Sequence, residues 1–308
     1  MFRGPYGTVP RYGATVQVHL VDGTYELFRH HLGLPQEVAA TSRAAGTRGV
    51  LRSVLGLIGE GATHLGVATD TVIESFRNDL WPGYKSSAGI EPALLAQFPL
   101  LEEGLRALGV TVWGMVDLEA DDALATAAAR AAAEAGVERV VICTPDKDLA
   151  QCVSGRRVVQ LDRRAERVRD EDGVRERFGV GPASIPDYLA LVGDSADGFP
   201  GLPGWGAKSA AAVLARHGHL DAIPADPADW DVPVRGAGRL AATLEEGREL
   251  AELFRLLATL RADAGGVLED GVDELRWRGP AAGLRDVCGD LDAPDVLARA
   301  EELAAARS

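Results

Sequence analysis

The sequence predicts an α/β fold, a mostly parallel central sheet with helices on both faces, followed by a C-terminal helical domain. Three observations predict it. Five short apolar runs, at 16–21, 65–69, 110–115, 138–143 and 157–161, are rich in β-branched residues and bounded by turn residues. Helical patterns at 46–60, 93–108 and 119–135 lie between them, and such alternation builds parallel strands covered by helices. After about residue 180 the strand signal vanishes. Residues 1–180 are therefore read as an α/β domain and 181–308 as a helical one.

Taken in order, the first run (VQVHLV) ends in Asp22-Gly23 and leads into a helix turn at 25–28. The second ends in Asp70, the third is followed by Asp117, the fourth by Thr144-Pro145-Asp146, and the fifth ends in Asp162. Helix 119–135 is mostly alanine on its outer turns, which is strong helix propensity. Beyond 180, a helix at 184–193 is followed by a Gly/Pro-punctuated stretch at 193–206 and a helix at 207–216. A Pro/Asp loop at 223–233, an amphipathic helical region at 237–259 and a mixed tail complete the chain. The tail, 266–308, is expected to close over the second domain as a helical cap.

Composition narrows the class. Of 308 residues, 46% are hydrophobic and 25% charged, a globular balance. No apolar run approaches the roughly 20 residues that span a bilayer. Residues 1–14 carry two arginines and no apolar core, so they do not form a secretory signal. Three scattered cysteines make neither a disulfide framework nor a zinc site, and the expected compartment is the reducing cytoplasm. The net charge of −14 argues against a nucleic-acid partner at first sight. Yet only three positive charges are lysine, Lys85, Lys147 and Lys208, in a chain otherwise committed to arginine. A compact ammonium is not interchangeable with a guanidinium, so these three positions are candidates for function.

The acidic residues are clustered. Asp22, Asp70, Glu119, Asp121, Asp122, Asp146, Asp148, Asp194 and Asp197 lie at strand ends and loop tips. Without these nine, 37 acidic residues nearly balance 32 basic ones. In open α/β sheets such ends face one crevice, and converging carboxylates need cations to coexist. Hard oxygen-ligand ions, Mg2+ or Mn2+, fit best, and two of them can clamp a phosphodiester. Taken singly, each acidic pair reads first as a helix N-cap or first-turn acid; it is the whole set at strand ends that points to a cation site.

At this point the chain resembles the 5′-nucleases of the flap-endonuclease superfamily, in the bacterial form found at the N-terminus of DNA polymerase I and in phages. The resemblance rests on Leu20-Val21-Asp22-Gly23 with Phe28-Arg29, and on Phe76-Arg77 with Tyr84-Lys85. It also rests on Leu118 through Asp122, Thr144 through Gln151, and Leu189 through Lys208. It implies a PIN-like nuclease core with an arch, and a helix–three-turn–helix in the second domain. Asp22, Asp70, Glu119, Asp121 and Asp122 would hold the metal that activates water, and Asp146, Asp148, Asp194 and Asp197 the second. Lys85 and Arg77 would contact the scissile phosphate. Arg29, Tyr84, Gly201, Gly204, Gly206 and Lys208 would contact DNA, with a K+ ion at the glycine-rich turn. The implied protein is a stand-alone, monomeric nuclease acting on branched or 5′-ended DNA in replication or repair.

The chain departs from that pattern in four places. Residues 86–105, in the expected arch, contain no Lys or Arg but include Glu91, Glu102 and Glu103. Gly198-Phe199 stands for a usual Asn-Ile, Trp205 for a small aliphatic residue expected to pack rather than stack on DNA, and Pro145 for a glycine. Two other readings stay open: a non-catalytic DNA-junction-binding protein, and a PIN-type ribonuclease.

Overall fold

The computed structural model describes residues 16–307; the leader reading at 1–14 lies outside them. Six strands form one sheet in the order β3-β2-β1-β4-β5-β6: β1 Val16–Asp22, β2 His64–Asp70, β3 Thr111–Met115, β4 Val137–Cys143, β5 Val158–Asp162 and β6 Arg167–Arg169. All pairings are parallel except β5 with β6.

Alternation along β1 separates two cores. Val18 and Leu20 pack with Ala68, Ile142 and the helix Ala120–Ala133. Val21, with Leu65 and Val67 of β2, faces the helices Ala45–Gly59 and Gln97–Ala107. The expected alanine-rich helix packs this closely because its inward positions, Ala123, Ala127 and Ala131, are small and fully buried.

A third core belongs to the helical region. It joins Ile185–Val192, Ala207–His217, Ala237–Glu246 and Arg248–Ala258 through Phe254, Phe199 and Trp230. The amphipathic region at 237–259 is two helices, broken at Gly247. Trp205 packs as expected, buried against Trp230 with its indole N–H donating to the Leu240 carbonyl at 3.2 Å.

The tail is a correction. It does not cap the helical domain; Trp277, Leu284, Leu291, Val296 and Leu303 belong to the core beneath the helix Ala45–Gly59. Trp277 donates its amide to the Thr63 carbonyl at 2.8 Å and its indole N–H to the Leu108 carbonyl at 2.7 Å. The expected arch is also smaller than its sequence span. Helix Gln97–Ala107 lies in the core through Phe98, Leu101 and Leu105. Glu102 is buried and accepts the Thr69 and Thr71 hydroxyls. Among the described residues no helix is long and apolar enough to cross a membrane.

Candidate active site

Parallel strands bring their carboxyl ends to one edge, and the acidic residues gather there. Asp22 and Asp70 close β1 and β2, and both are buried. Asp22 accepts the Tyr25 amide at 2.8 Å, capping the helix Gly23–Leu32, and the Thr144 hydroxyl at 3.0 Å. Asp70 accepts the Ala120 amide at 2.7 Å, at the start of the next helix. Each carboxylate is thus fixed by an orphan N–H of a helix first turn.

On the other flank, Asp148, Asp194 and Asp197 each place a carboxylate oxygen within 4.8 Å of the others. Asp148 Oδ1 is buried with no hydrogen-bond partner. Asp194 and Asp197 sit on a tight turn closed by the mutual amide–carbonyl bonds of Asp194 and Phe199. Asp146 is exposed and orders this loop by accepting the Asp148 amide at 3.0 Å.

The crowding is visible in the acid strengths. Burial, with the charges of Asp146 and Asp70, pushes Asp22 up to about 7. Burial lifts Asp70 to about 6 against the pull of Lys85. Asp121 and Asp148 are raised by burial and then by Asp146, and Asp197 by burial despite Lys85. Glu119 goes the other way: burial opposes its charge, but Lys85 and Arg77 outweigh it. Lys85 Nζ spans both flanks, 2.8 Å from Glu119 and 3.2 Å from Asp197. Lys147 Nζ lies 2.6 Å from Asp194. An unpaired buried carboxylate oxygen among converging acidic oxygens suits a hard divalent cation.

Four of the expected contacts are placed elsewhere. Arg77 is fully buried and cannot reach a phosphate. Its two terminal nitrogens bond both oxygens of Asp122 at 2.8 Å, and it also donates to the Leu257 and Thr259 carbonyls. Asp122 also accepts the Glu119 and Arg261 amides at 3.0 and 2.8 Å, so both of its oxygens are engaged within the protein. Tyr84 is buried, its hydroxyl 3.4 Å from Glu119. Arg29 is held by Glu26 at 2.5 Å and His30 at 2.9 Å, away from the carboxylates. In the glycine-rich stretch, Gly201 is buried and its φ of +69° closes the turn on Gly193. Gly204, Gly206 and Lys208 are exposed and, with Arg235, line a cavity of about 420 Å³ at the start of the helix Ala207–His217. Sequence reading missed Ser75, whose hydroxyl bonds Glu119 at 2.6 Å, and Thr144. The first carries an N-cap signal only; the second lies in the Thr144–Gln151 segment, where the acidic residues alone were singled out.

The comparisons with known proteins agree with this architecture. Residues 17–179 match the 5′-3′ exonuclease N-terminal resolvase-like domain, and 180–282 the 5′-3′ exonuclease C-terminal SAM fold. DNA polymerase I of Pseudomonas aeruginosa is 38% identical over 255 residues, covering 79% of this chain but only 27% of that protein. The flap endonuclease Xni of Edwardsiella ictaluri is 37% identical over 213 residues, 69% of this chain and 80% of that one. Among solved structures, the zinc-bound T5 5′-exonuclease superposes with a TM-score of 0.63 at 19% identity, covering 92% of this chain and 99% of that chain, a likeness of fold. A mostly parallel sheet with an acidic carboxyl edge, joined to a SAM-like helical domain, defines the class as 5′-nuclease-like. The chain belongs to the 5′-3′ exonuclease family.

Proposed function

We propose that this protein is a divalent-metal-dependent, structure-specific 5′-nuclease that hydrolyses DNA phosphodiesters at 5′ ends and flap junctions. The observation that carries this reading is the convergence of Asp148, Asp194 and Asp197 around an unpartnered carboxylate oxygen, facing a second acidic group of Asp22, Asp70 and Asp121. Two subsites would hold two ions, Mg2+ or Mn2+, which when bound acidify a water and offset charge on phosphate oxygens. The chain's own residues do the rest. The amides of Tyr25 and Ala120 orient Asp22 and Asp70. Lys85, protonated and held between the two flanks, would supply positive charge where it develops on the scissile phosphate. Gly204, Gly206 and Lys208 would take duplex phosphate, with K+ at that turn as the resemblance implies. The proposed setting is a monomer in the cytoplasm, serving replication or repair.

The test is cleavage of a 5′-flap DNA, a nicked duplex and a single strand with Mg2+, Mn2+ or EDTA, for the natural protein and Asp148→Asn. Divalent-dependent cutting near the flap base, abolished in the variant, is expected. DNA binding without cutting under any ion would instead support a junction-binding protein, and preference for RNA a ribonuclease.

A further inference from the structure

A lysine ammonium rides on a flexible four-carbon stem, so its reach depends on where the backbone beneath it is pinned. Lys85 is pinned from both sides. Its amide donates to the Asp197 carbonyl at 3.0 Å, and its own carbonyl accepts Asn78 Nδ2 at 2.9 Å. Asn78 turns its other atom back on its own helix: Oδ1 accepts the Ser75 amide at 2.8 Å. Two residues past Lys85, Glu74 Oε1 accepts both the amide and the hydroxyl of Ser87, at 2.8 and 2.6 Å. The segment from Glu74 to Asn78 thus grips the chain that carries Lys85.

The same carboxamide reaches the partner of Lys85. Ser75 caps the short helix Phe76–Leu80, and its hydroxyl donates to Glu119 at 2.6 Å. Glu119 in turn lies 2.8 Å from Lys85 Nζ. Asn78 therefore stands behind both members of that pair. Residue type decides whether this works. The Ser75 amide can only donate and the Lys85 carbonyl can only accept, so the group between them must accept at one atom and donate at the other. A carboxamide does both, a carboxylate only the first, and alanine neither. A helix cap alone would need only the Oδ1 contact. Both side-chain bonds of Asn78 go to backbone groups, so its influence on the acidic edge passes through Lys85 and Ser75.

We infer that Asn78 is a positioning residue for the cleavage reaction: its carboxamide locks the Lys85 backbone to the Ser75 cap and so sets where the Lys85 ammonium meets the scissile phosphate. The inference rests on the nuclease reading for the role of Lys85.

Asn78→Asp separates the two bonds. It keeps an acceptor for the Ser75 amide, in a helix first turn where a carboxylate is favourable, and removes the donor to Lys85. Flap cleavage by this variant should lose roughly 10- to 100-fold in kcat, the scale of a misplaced group, with KM little changed. In a Lys85→Ala background the same substitution should change kcat by less than about 2-fold, because the group it positions is gone. Asn78→Ala, which removes the cap as well, should lower the melting temperature but lose no more kcat than Asn78→Asp. Unchanged kcat in Asn78→Asp, or an equal loss in the Lys85→Ala background, overturns the inference. A second readout needs no cleavage. The chain has three lysines, Lys85, Lys147 and Lys208, so carbon-13-labelled lysine gives three side chains to follow by NMR, and Lys85→Ala assigns its own. Both Asn78 variants should move the Lys85 Cε signal toward that of a freely solvated lysine and leave the other two in place. A Lys85 signal that stays put overturns the inference whether or not the protein cuts DNA. A signal that moves, in a protein that cuts under no ion, removes only the nuclease reading and leaves the pinning of Lys85 standing.

Discussion

Single residues carry the sharpest departures from what the motifs suggest. Asp122 sits in a run of three acids, with Glu119 and Asp121, that reads as metal-binding, yet it and Arg77 form a fully buried, bidentate pair. Removing one partner strands the other charge, at a typical cost of about 3–5 kcal/mol. Arg77→Met should show that loss in urea denaturation. Asp122→Asn, where it remains folded, should bind Ca2+ with nearly natural affinity, whereas Asp148→Asn should bind it poorly by calorimetry; equal losses in both would return Asp122 to the metal site. A second residue sets a pH dependence. His19, on β1, is buried with Nδ1 unpartnered, and burial with the Arg163 charge lowers its pKa from 6.5 to about 4. Below pH 6.5 the unfolded chain takes up a proton that the folded one refuses, so stability is full above 6.5 and falls as pH drops toward 4. The loss reaches about 3 kcal/mol by linkage. His19→Leu should flatten this part of the pH profile measured by thermal unfolding, and a profile identical to the natural protein would exclude His19 as its source.

At the scale of elements, the turn holding Asp194 and Asp197 depends on a backbone approach. Gly198 has φ +83°, and a Cβ there would lie 1.9 Å from the Gly83 carbonyl oxygen. The indole N–H of Trp81 also donates to the Gly198 carbonyl at 3.0 Å, and the Lys85 amide to the Asp197 carbonyl at 3.0 Å. The turn is therefore fastened to the loop that delivers Lys85. Gly198→Ala should push the two apart, costing about 1–3 kcal/mol of strain, and should weaken Ca2+ binding at Asp194 and Asp197. Natural Ca2+ affinity in this variant would show the two loops to be independent. The first five strands were legible because each is an apolar run with turn residues at its ends, and the acidic edge followed from where those runs stop. β6 was not legible, because Arg167-Val168-Arg169 is a three-residue edge strand with no buried stripe. Nor was the break at Gly247, since the amphipathic period continues across it. Arg77 could not be told from a phosphate ligand by residue type: its partners, Leu257, Thr259 and Asp122, are brought to it only by tertiary folding.

Across the whole molecule, the chain returns to where it started. After the helix Arg248–Ala258, the Arg261 amide meets Asp122, and the segment beyond it crosses back beneath the sheet to pair Arg276 with His64 at the start of β2. Local sequence carries no sign of this, because an Ala/Glu-rich helix can lie on either domain. What settles it is the shared burial of Trp277, Leu284, Val296 and Leu303 with Val54, Leu57 and Leu108. The tail is then part of the α/β core, and weakening it should be felt at the acidic edge rather than in the helical domain. Trp277 is 5% exposed and anchored by two backbone carbonyls, so Trp277→Ala should cost about 3–5 kcal/mol. Hydrogen exchange should show the added opening in β1, β2 and the helix Ala45–Gly59, with Ile185–Val192 and Ala207–His217 keeping their protection. Loss of protection confined to those two helices would place the tail on the second domain after all. Because Asp22 and Asp70 terminate the strands that open, Ca2+ should protect the variant more than its affinity for isolated carboxylates would predict, as a ligand that binds only the folded edge must.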